Sequence, residues 1–78
     1  MTKDERFLIE LYRFSAQSVD PEKIVNPTQV AKNLGYKVLL LKDVLKGLRQ
    51  ANLIKIYGPE EIIITERGSE VARSLLSG

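Results

Sequence analysis

The chain has 78 residues, no cysteine and no histidine, and its 12 basic and 10 acidic residues leave a net charge of +2. This composition excludes disulfides, thiolate nucleophiles, Cys/His zinc sites and acid–base catalysis by histidine. A chain this short also has a thin core and little room for a deep pocket. We therefore predict one domain over residues 1–78 that is not an enzyme and that has no metal site and no cofactor.

The charge is divided unevenly along the chain. Residues 23–55 contain seven basic residues and one acidic residue, a local charge of +6. The remaining residues contain five basic and nine acidic residues, a charge of −4. Such segregation favours an anionic partner for the middle of the chain. The alternative, that these lysines are simply scattered over a solvated surface, stays open.

Nothing in the sequence predicts a membrane segment. The longest uninterrupted apolar run is Val38–Leu41, far shorter than the ~20 residues that span a bilayer. Asp4 and Glu5 stand near the N-terminus, where a signal peptide would be apolar. The absence of cysteine is compatible with a reducing compartment. We expect a cytoplasmic protein without membrane contact.

A first helix is predicted from Lys3 to Ser18. Thr2 and Glu5 have the spacing of a capping box, in which each side chain accepts from the other residue's backbone N–H. Apolar side chains then recur with helical spacing at Phe7, Leu8, Leu11 and Phe14. Asp20-Pro21 interrupts the pattern and ends the helix.

A second, short helix is predicted to start at Pro27. Asn26 is a favourable N-cap and Pro27 suits the first helical position, while Gln29 has capping-box spacing. Val30, Ala31 and Leu34 form its inward stripe, and Gly35 ends it in a left-handed conformation. The preceding pair Ile24-Val25 is prone to β pairing.

A third helix is predicted to begin near Lys37 and to stop at Asn52. Its inward face is predicted from four apolar residues within about 100° of arc: Leu41, Val44, Leu45 and Leu48. On the same wheel Val38 lies on the core side and is expected to pack at the edge of the core. Leu40 lies on a flank, and Leu39 points outward.

The last third of the chain predicts a hairpin and a final helix. Leu53–Tyr57 alternates like a half-buried strand, Gly58–Glu61 has turn chemistry, and Ile62–Ile64 is a second strand. Thr65 caps a helix from Glu66 to about Leu76. The predicted fold class is mainly α with a small β-hairpin, in the order α-α-α-β-β-α.

Four segments in this order resemble the winged helix-turn-helix family, in particular MarR-like regulators and related winged-helix domains. Val30–Tyr36 resembles the family's "LAxxLGV" turn, Ala51–Ile54 resembles "xGLI" with Asn52 in place of glycine, and Ile64–Gly68 resembles "LTxxG". The inward residues of the third helix fall at the family's buried recognition-helix positions. The resemblance covers roughly residues 26 to 72 and implies a winged helix-turn-helix fold.

The resemblance implies a small transcriptional regulator that binds double-stranded DNA. In this family the third helix enters the major groove and the wing reaches a neighbouring groove or phosphates. The implied groove-facing positions are Lys37, Val38, Leu39, Leu40, Lys42, Asp43 and Lys46. Thr28 and Gln29 would lie near a phosphate, where free backbone N–H groups at a helix start favour an anion. Lys32 and Lys55 are further candidates for phosphate contacts.

A protein–protein interaction module on the same fold is the alternative. Leu39 and Leu40 can form a small apolar patch, which is more typical of protein interfaces than of DNA sites. Glu60 and Glu61 at the expected wing tip would repel phosphate. The lysines of the third helix have a second interpretation as a solvated face that Asp43 partly neutralises.

The final helix carries an apolar stripe formed by Val71, Ala72, Leu75 and Leu76. One side of this stripe is expected to join the core. The family resemblance implies that its far end could pair with a second copy, since terminal helices often mediate dimers there. A homodimer through the C-terminal helix is therefore a further expectation.

Overall fold

The computed structural model describes all residues 1–78 as a mainly helical domain with one antiparallel hairpin. Its elements, in chain order, are α1 (Lys3–Gln17), α2 (Pro27–Leu34), α3 (Val38–Gln50), β1 (Ile54–Gly58), β2 (Glu61–Ile64) and α4 (Glu66–Ser77). This confirms the predicted class and the predicted order of elements. None of the four helices has the length and apolar character needed to cross a membrane.

Local capping fixes where α1 and α4 begin. The backbone N–H of Thr2 donates to Glu5 Oε1 at 2.8 Å, and the N–H of Glu5 donates to Thr2 Oγ1 at 3.1 Å. This reciprocal pair is the capping box predicted from the sequence. Thr65 caps α4 by accepting from the N–H of Gly68 at 3.0 Å. The starts of both helices are thus encoded by residues within one turn of the cap.

The ends of α2 and α3 use the same backbone device. Gly35 has a φ of 73° and Asn52 a φ of 62°, both in the left-handed region. The N–H of the next residue then reaches back over the last turn, from Tyr36 to the Ala31 carbonyl and from Leu53 to the Leu48 carbonyl, each at 2.9 Å. This is the Schellman arrangement, which satisfies the last helical carbonyls. Both stop signals predicted from the sequence are confirmed.

The hairpin has slightly different limits from those predicted. The N–H of Leu53 is used by the end of α3, so β1 starts one residue later, at Ile54. Gly58 pairs with Glu61, so the turn contains only Pro59 and Glu60. A register irregularity between Ile56 and Gly58 accommodates this closure as a β-bulge.

The predicted β-prone pair contributes a single bridge at the outer edge of β2. Val25 and Ile62 exchange both backbone hydrogen bonds, at 2.8 and 3.0 Å. The sheet itself has two strands, and no strand pairs with the other edge of β1. One edge of the hairpin is therefore covered and the other is open.

A single apolar cluster joins every element. Phe7, Leu8 and Leu11 of α1 lie at its centre, and α1 packs against α2, α3, α4 and β2. The other buried members come from the remaining elements and from the bridge segment: Val25, Val30, Val44, Leu48, Ile54, Ile62 and Ala72. The side of α3 that faces α1 is buried in this cluster. The opposite side of α3 is exposed to solvent.

Candidate functional site

The exposed face of α3 carries a row of cations. Val44 and Leu48 are buried against the core, which turns the opposite side of α3 to solvent. Lys42, Lys46 and Arg49 lie on that side, spaced by four and then three residues, and all three are exposed. Residues at these spacings are neighbours on one helix face. We call these three residues the α3 stripe.

No acidic side chain pairs with the α3 stripe. The one salt bridge in the protein joins Arg13 to Glu10 within α1, at 3.5 Å. Asp43 is exposed on α3, but its carboxylate lies beyond ion-pair distance of Lys42 and Lys46. The charge of the stripe is therefore available to an external anion. Asp43 lowers the positive potential nearby without forming an ion pair.

Arg49 belongs to this face although the sequence-based set of candidate residues did not include it. Its position seven residues after Lys42 and three after Lys46 was a sufficient signal. In the sequence, Arg49 counts only toward the basic segment 23–55 and not among the groove-facing positions. Arginine adds a planar donor group that can bond a guanine edge or a phosphate with two N–H groups.

Lys37 stands at the start of α3 and its position is held by its neighbour. Lys37 is the N-cap residue, exposed and without a side-chain cap hydrogen bond. The ring of Tyr36 stacks on Phe7 with centroids 6.4 Å apart, and its hydroxyl donates to the Lys3 carbonyl at 2.9 Å. These contacts tie the α2–α3 turn to α1 and fix the direction in which α3 leaves it.

The expected anion site at the start of α2 lacks the free donors that motivated it. The N–H of Thr28 donates to Asn26 Oδ1 at 2.9 Å, and the N–H of Gln29 donates to the Asn26 carbonyl at 3.1 Å. The expectation of free N–H groups at these two residues is therefore wrong, because the Asn26 cap consumes them. The side chains of Thr28 and Gln29 are exposed, so any contact of these two residues with an anion would use the side chains.

Lys32 and Lys55 are exposed on α2 and β1, outside the α3 stripe. Neither takes part in a salt bridge. Glu60, in the hairpin turn, and Glu61, at the start of β2, are exposed as well. The hairpin thus presents a lysine on its strand and two carboxylates around its turn.

The apolar patch at the start of α3 differs from the one expected. Val38 is 66% exposed, so the expectation that it packs at the edge of the core is wrong. Leu40 is half-buried and packs against the core, as its flank position on the wheel indicates. Leu39 is 79% exposed. The exposed apolar pair is therefore Val38 and Leu39, and Leu40 belongs to the interior side.

The stripe on α4 is mostly occupied within the chain. Ala72 is buried, while Val71 and Leu75 are half-buried. Leu76 is exposed and borders an open groove of about 300 Å³ between α1, α4 and the end of α2. The core role of the stripe is confirmed, and pairing of its far end with a second copy stays a prediction.

No three carboxylates lie close enough together to hold a metal ion. No protein-family model, curated protein or solved structure matches the chain. The arrangement of the exposed side chains is therefore the only basis for assigning a function.

Proposed function

We propose that this protein is a winged helix-turn-helix domain that binds double-stranded DNA through α3. The observation that carries the proposal is the α3 stripe, three exposed cations in a row on one helix face without acidic partners. An α-helix fits the major groove of B-form DNA, and unpaired cations release condensed counterions when they meet phosphates. The stripe supplies both the shape and the charge for this contact.

The surroundings of α3 support the same mode of docking. Lys37 precedes the helix, Lys32 lies on α2, and Lys55 follows on β1, all exposed. In a winged-helix arrangement these residues would flank the groove and contact phosphates on either side of α3. Thr28 and Gln29 would contact the backbone through their side chains only. We propose that the protein regulates transcription, as the family resemblance implies.

The proposed readout is mainly electrostatic, with modest choice of sequence. Arg49 is the residue best suited to a guanine edge, and Asp43 can accept from a cytosine amino group. Val38 and Leu39 can contact only thymine methyl groups. We therefore expect affinity to depend strongly on salt and weakly on base sequence.

Fluorescence anisotropy with a labelled random-sequence duplex tests the proposal at about 50 mM salt, where electrostatic binding is strong. The wild-type protein is expected to bind, and the double charge reversal Lys42→Glu/Lys46→Glu is expected to abolish binding to every duplex. The matched control, Arg67→Glu/Arg73→Glu, makes the same change in net charge on exposed residues of α4. If both variants lost the same amount of duplex affinity, the binding would depend on net charge alone, and α3 would not be the interface.

A protein-interaction module is the second candidate, and the exposed pair Val38 and Leu39 favours it. Two adjacent exposed apolar side chains on a helix suit a protein groove, and Glu60 and Glu61 oppose phosphate. The substitution Leu39→Ala separates the candidates, because it removes the apolar contact that a protein groove would use and leaves the charge that a duplex would meet unchanged. Loss of a partner recovered by pull-down, with duplex affinity reduced less than about tenfold, would support the interaction module.

A further inference from the structure

An open groove runs along the uncovered edge of β1. It encloses about 530 Å³ between that edge and the last turn of α3. Its lining residues are Arg49, Gln50, Asn52, Ile54, Lys55, Ile56 and Tyr57. We call it the β1 edge groove. The groove begins at Arg49, the last residue of the α3 stripe, which is the only stripe residue that lines it.

Backbone groups of β1 point into this groove. Ile62 exchanges both of its backbone hydrogen bonds with Val25, so it forms none with Ile56, its partner across the hairpin. In an antiparallel pair, bonded and non-bonded residue pairs alternate. The N–H and C=O groups of Ile56, which is 40% exposed, are therefore directed away from β2 and toward solvent. Those of Ile54 have the same direction, but Ile54 is only 2% exposed and its backbone groups are covered. No strand covers that edge.

The walls of the groove combine apolar and cationic groups. Ile56 is 40% exposed and Tyr57 is 59% exposed, which leaves apolar surface beside the open backbone. Arg49 and Lys55 are exposed and without ion pairs. The acidic residues Glu60 and Glu61 lie beyond Tyr57, at the turn. The groove therefore has a cationic end near Arg49 and an apolar, aromatic end near Tyr57.

These features select one kind of occupant. An exposed strand edge recognises an extended polypeptide backbone, because regularly spaced donors and acceptors match those of an added strand. A second copy of this chain would offer its own β1, whose only charged residue is Lys55, and so would bring no carboxylate of that strand to Arg49 and Lys55. A strand that does carry carboxylates there adds charge attraction to the backbone pairing.

We propose that the β1 edge groove binds an extended acidic peptide segment as an added third strand. The carboxylates of the segment lie near Arg49 and Lys55, and an apolar residue packs beside Ile56 and Tyr57. Backbone hydrogen bonds to Ile56 supply the alignment. This site shares Arg49 and Lys55 with the proposed duplex interface, but its strand pairing at the β1 edge does not depend on duplex binding.

The test uses a short acetylated peptide in which glutamate alternates with valine and threonine, titrated into the ¹⁵N-labelled full chain. Two isomers of the peptide carry backbone N-methyl groups at either the odd or the even positions. Only alternate residues of an added strand bond to β1, so one isomer is expected to lose about tenfold or more in affinity while the other retains it. The amide signal of Ile56 is expected to shift and to gain protection from exchange.

Protein variants provide the second arm. Arg49→Ala/Lys55→Ala is expected to weaken the peptide several-fold, whereas Arg67→Ala/Arg73→Ala on α4 leaves the affinity unchanged. Equal binding of the two N-methylated isomers would overturn the proposal, since the contact would then be charge attraction without strand addition. Absence of binding at millimolar peptide would overturn it as well. A response of the Ile56 amide to duplex DNA but not to peptide would overturn the proposal and assign the groove to a nucleic-acid surface instead.

Discussion

Gly68, in the first turn of α4, lies directly against the backbone carbonyl of Leu53. A Cβ atom at Gly68 would overlap the Leu53 carbonyl oxygen and would lie 2.8 Å from Cγ1 of Ile64. The same carbonyl accepts from the N–H of Thr65 at 3.0 Å. The start of α4 is thereby seated on the junction between α3 and β1, and only glycine permits so close an approach.

The substitution Gly68→Ala is therefore expected to destabilise the protein, by about 3 kcal/mol, because backbone and not a flexible side chain blocks the new methyl group. Urea unfolding followed by circular dichroism measures the change. Gly47→Ala is the matched control, since its Cβ would lie 2.6 Å from Oδ2 of Asp4, a side-chain end that can rotate away. In α3 that replacement gains helix propensity, so a neutral or slightly stabilising effect of up to about 1 kcal/mol is expected. Equal losses at both glycines would contradict this account.

Tyr36→Phe removes the hydroxyl that bonds to the Lys3 carbonyl and keeps the ring that stacks on Phe7. The expected loss of stability is about 1 kcal/mol, the usual net value of one hydrogen bond. Tyr57→Phe provides the comparison, because the hydroxyl of Tyr57 forms no hydrogen bond within the protein and its ring is largely exposed. A loss at Tyr57 as large as that at Tyr36 would show that the hydroxyl of Tyr36 does not hold the turn.

The capping box predicts a dependence of stability on pH. Hydrogen bonds from the backbone N–H of Thr2 and then from its side chain hold the pKa of Glu5 below its usual value of 4.5. Because the folded pKa is lower than the unfolded one, the contribution of Glu5 is fully present above about pH 4.5 and is lost as the pH falls through the folded value. The stability difference between the wild type and Glu5→Gln is therefore expected to shrink on acidification.

Thermal unfolding of both proteins between neutral pH and pH 2 measures this difference, and a ¹³C titration of the Glu5 carboxyl group follows its pKa directly. Thr2→Val should move that pKa part of the way back toward 4.5, since the backbone hydrogen bond remains. A difference between the wild type and Glu5→Gln that stays constant with pH would contradict the assignment.

The proposed duplex contact predicts a definite response to salt. About five cations on phosphates give a slope of log K against log salt of roughly −4 to −5. Arg49→Ala should make this slope less steep by about 1, if Arg49 contacts phosphate as Lys42 and Lys46 do. Anisotropy titrations over a range of salt concentrations measure the slope. Arg73→Ala on α4 should leave it unchanged, and an Arg49→Ala slope equal to that of the wild type would exclude a phosphate contact by Arg49.

The helices were predictable because their signals are local. The caps at Thr2, Asn26 and Thr65 and the left-handed residues Gly35 and Asn52 act within one turn of the backbone they control. Neighbouring residues in the sequence therefore contain the information. The start of β1 was harder to predict, since whether Leu53 joins the strand depends on the hydrogen bond it gives to α3.

The exposed surface of α3 was only partly predictable, because its rotation about the helix axis is set by distant elements. A wheel centred on Leu41, Val44, Leu45 and Leu48 places Val38 toward the core. In the structure Leu41 and Leu45 are half-buried, while Val44 and Leu48 are fully buried. The centre of the buried face therefore turns toward Leu40, and Val38 lies about 100° from it. The open edge of β1 was beyond prediction for a similar reason, since it depends on which strand Val25 joins.

The junction at Asn52 makes α3 and the hairpin a single rigid piece. The Asn52 carbonyl accepts from Thr65 Oγ1 at 2.7 Å, and the adjacent peptide groups of Leu53 bond to Leu48 on one side and to Thr65 on the other. The distance from the α3 stripe to Lys55 is consequently preset before any ligand arrives. In the proposed complex the nucleic acid must supply the adjustment, and stretches of duplex whose groove width already matches this spacing should be preferred without any base being read.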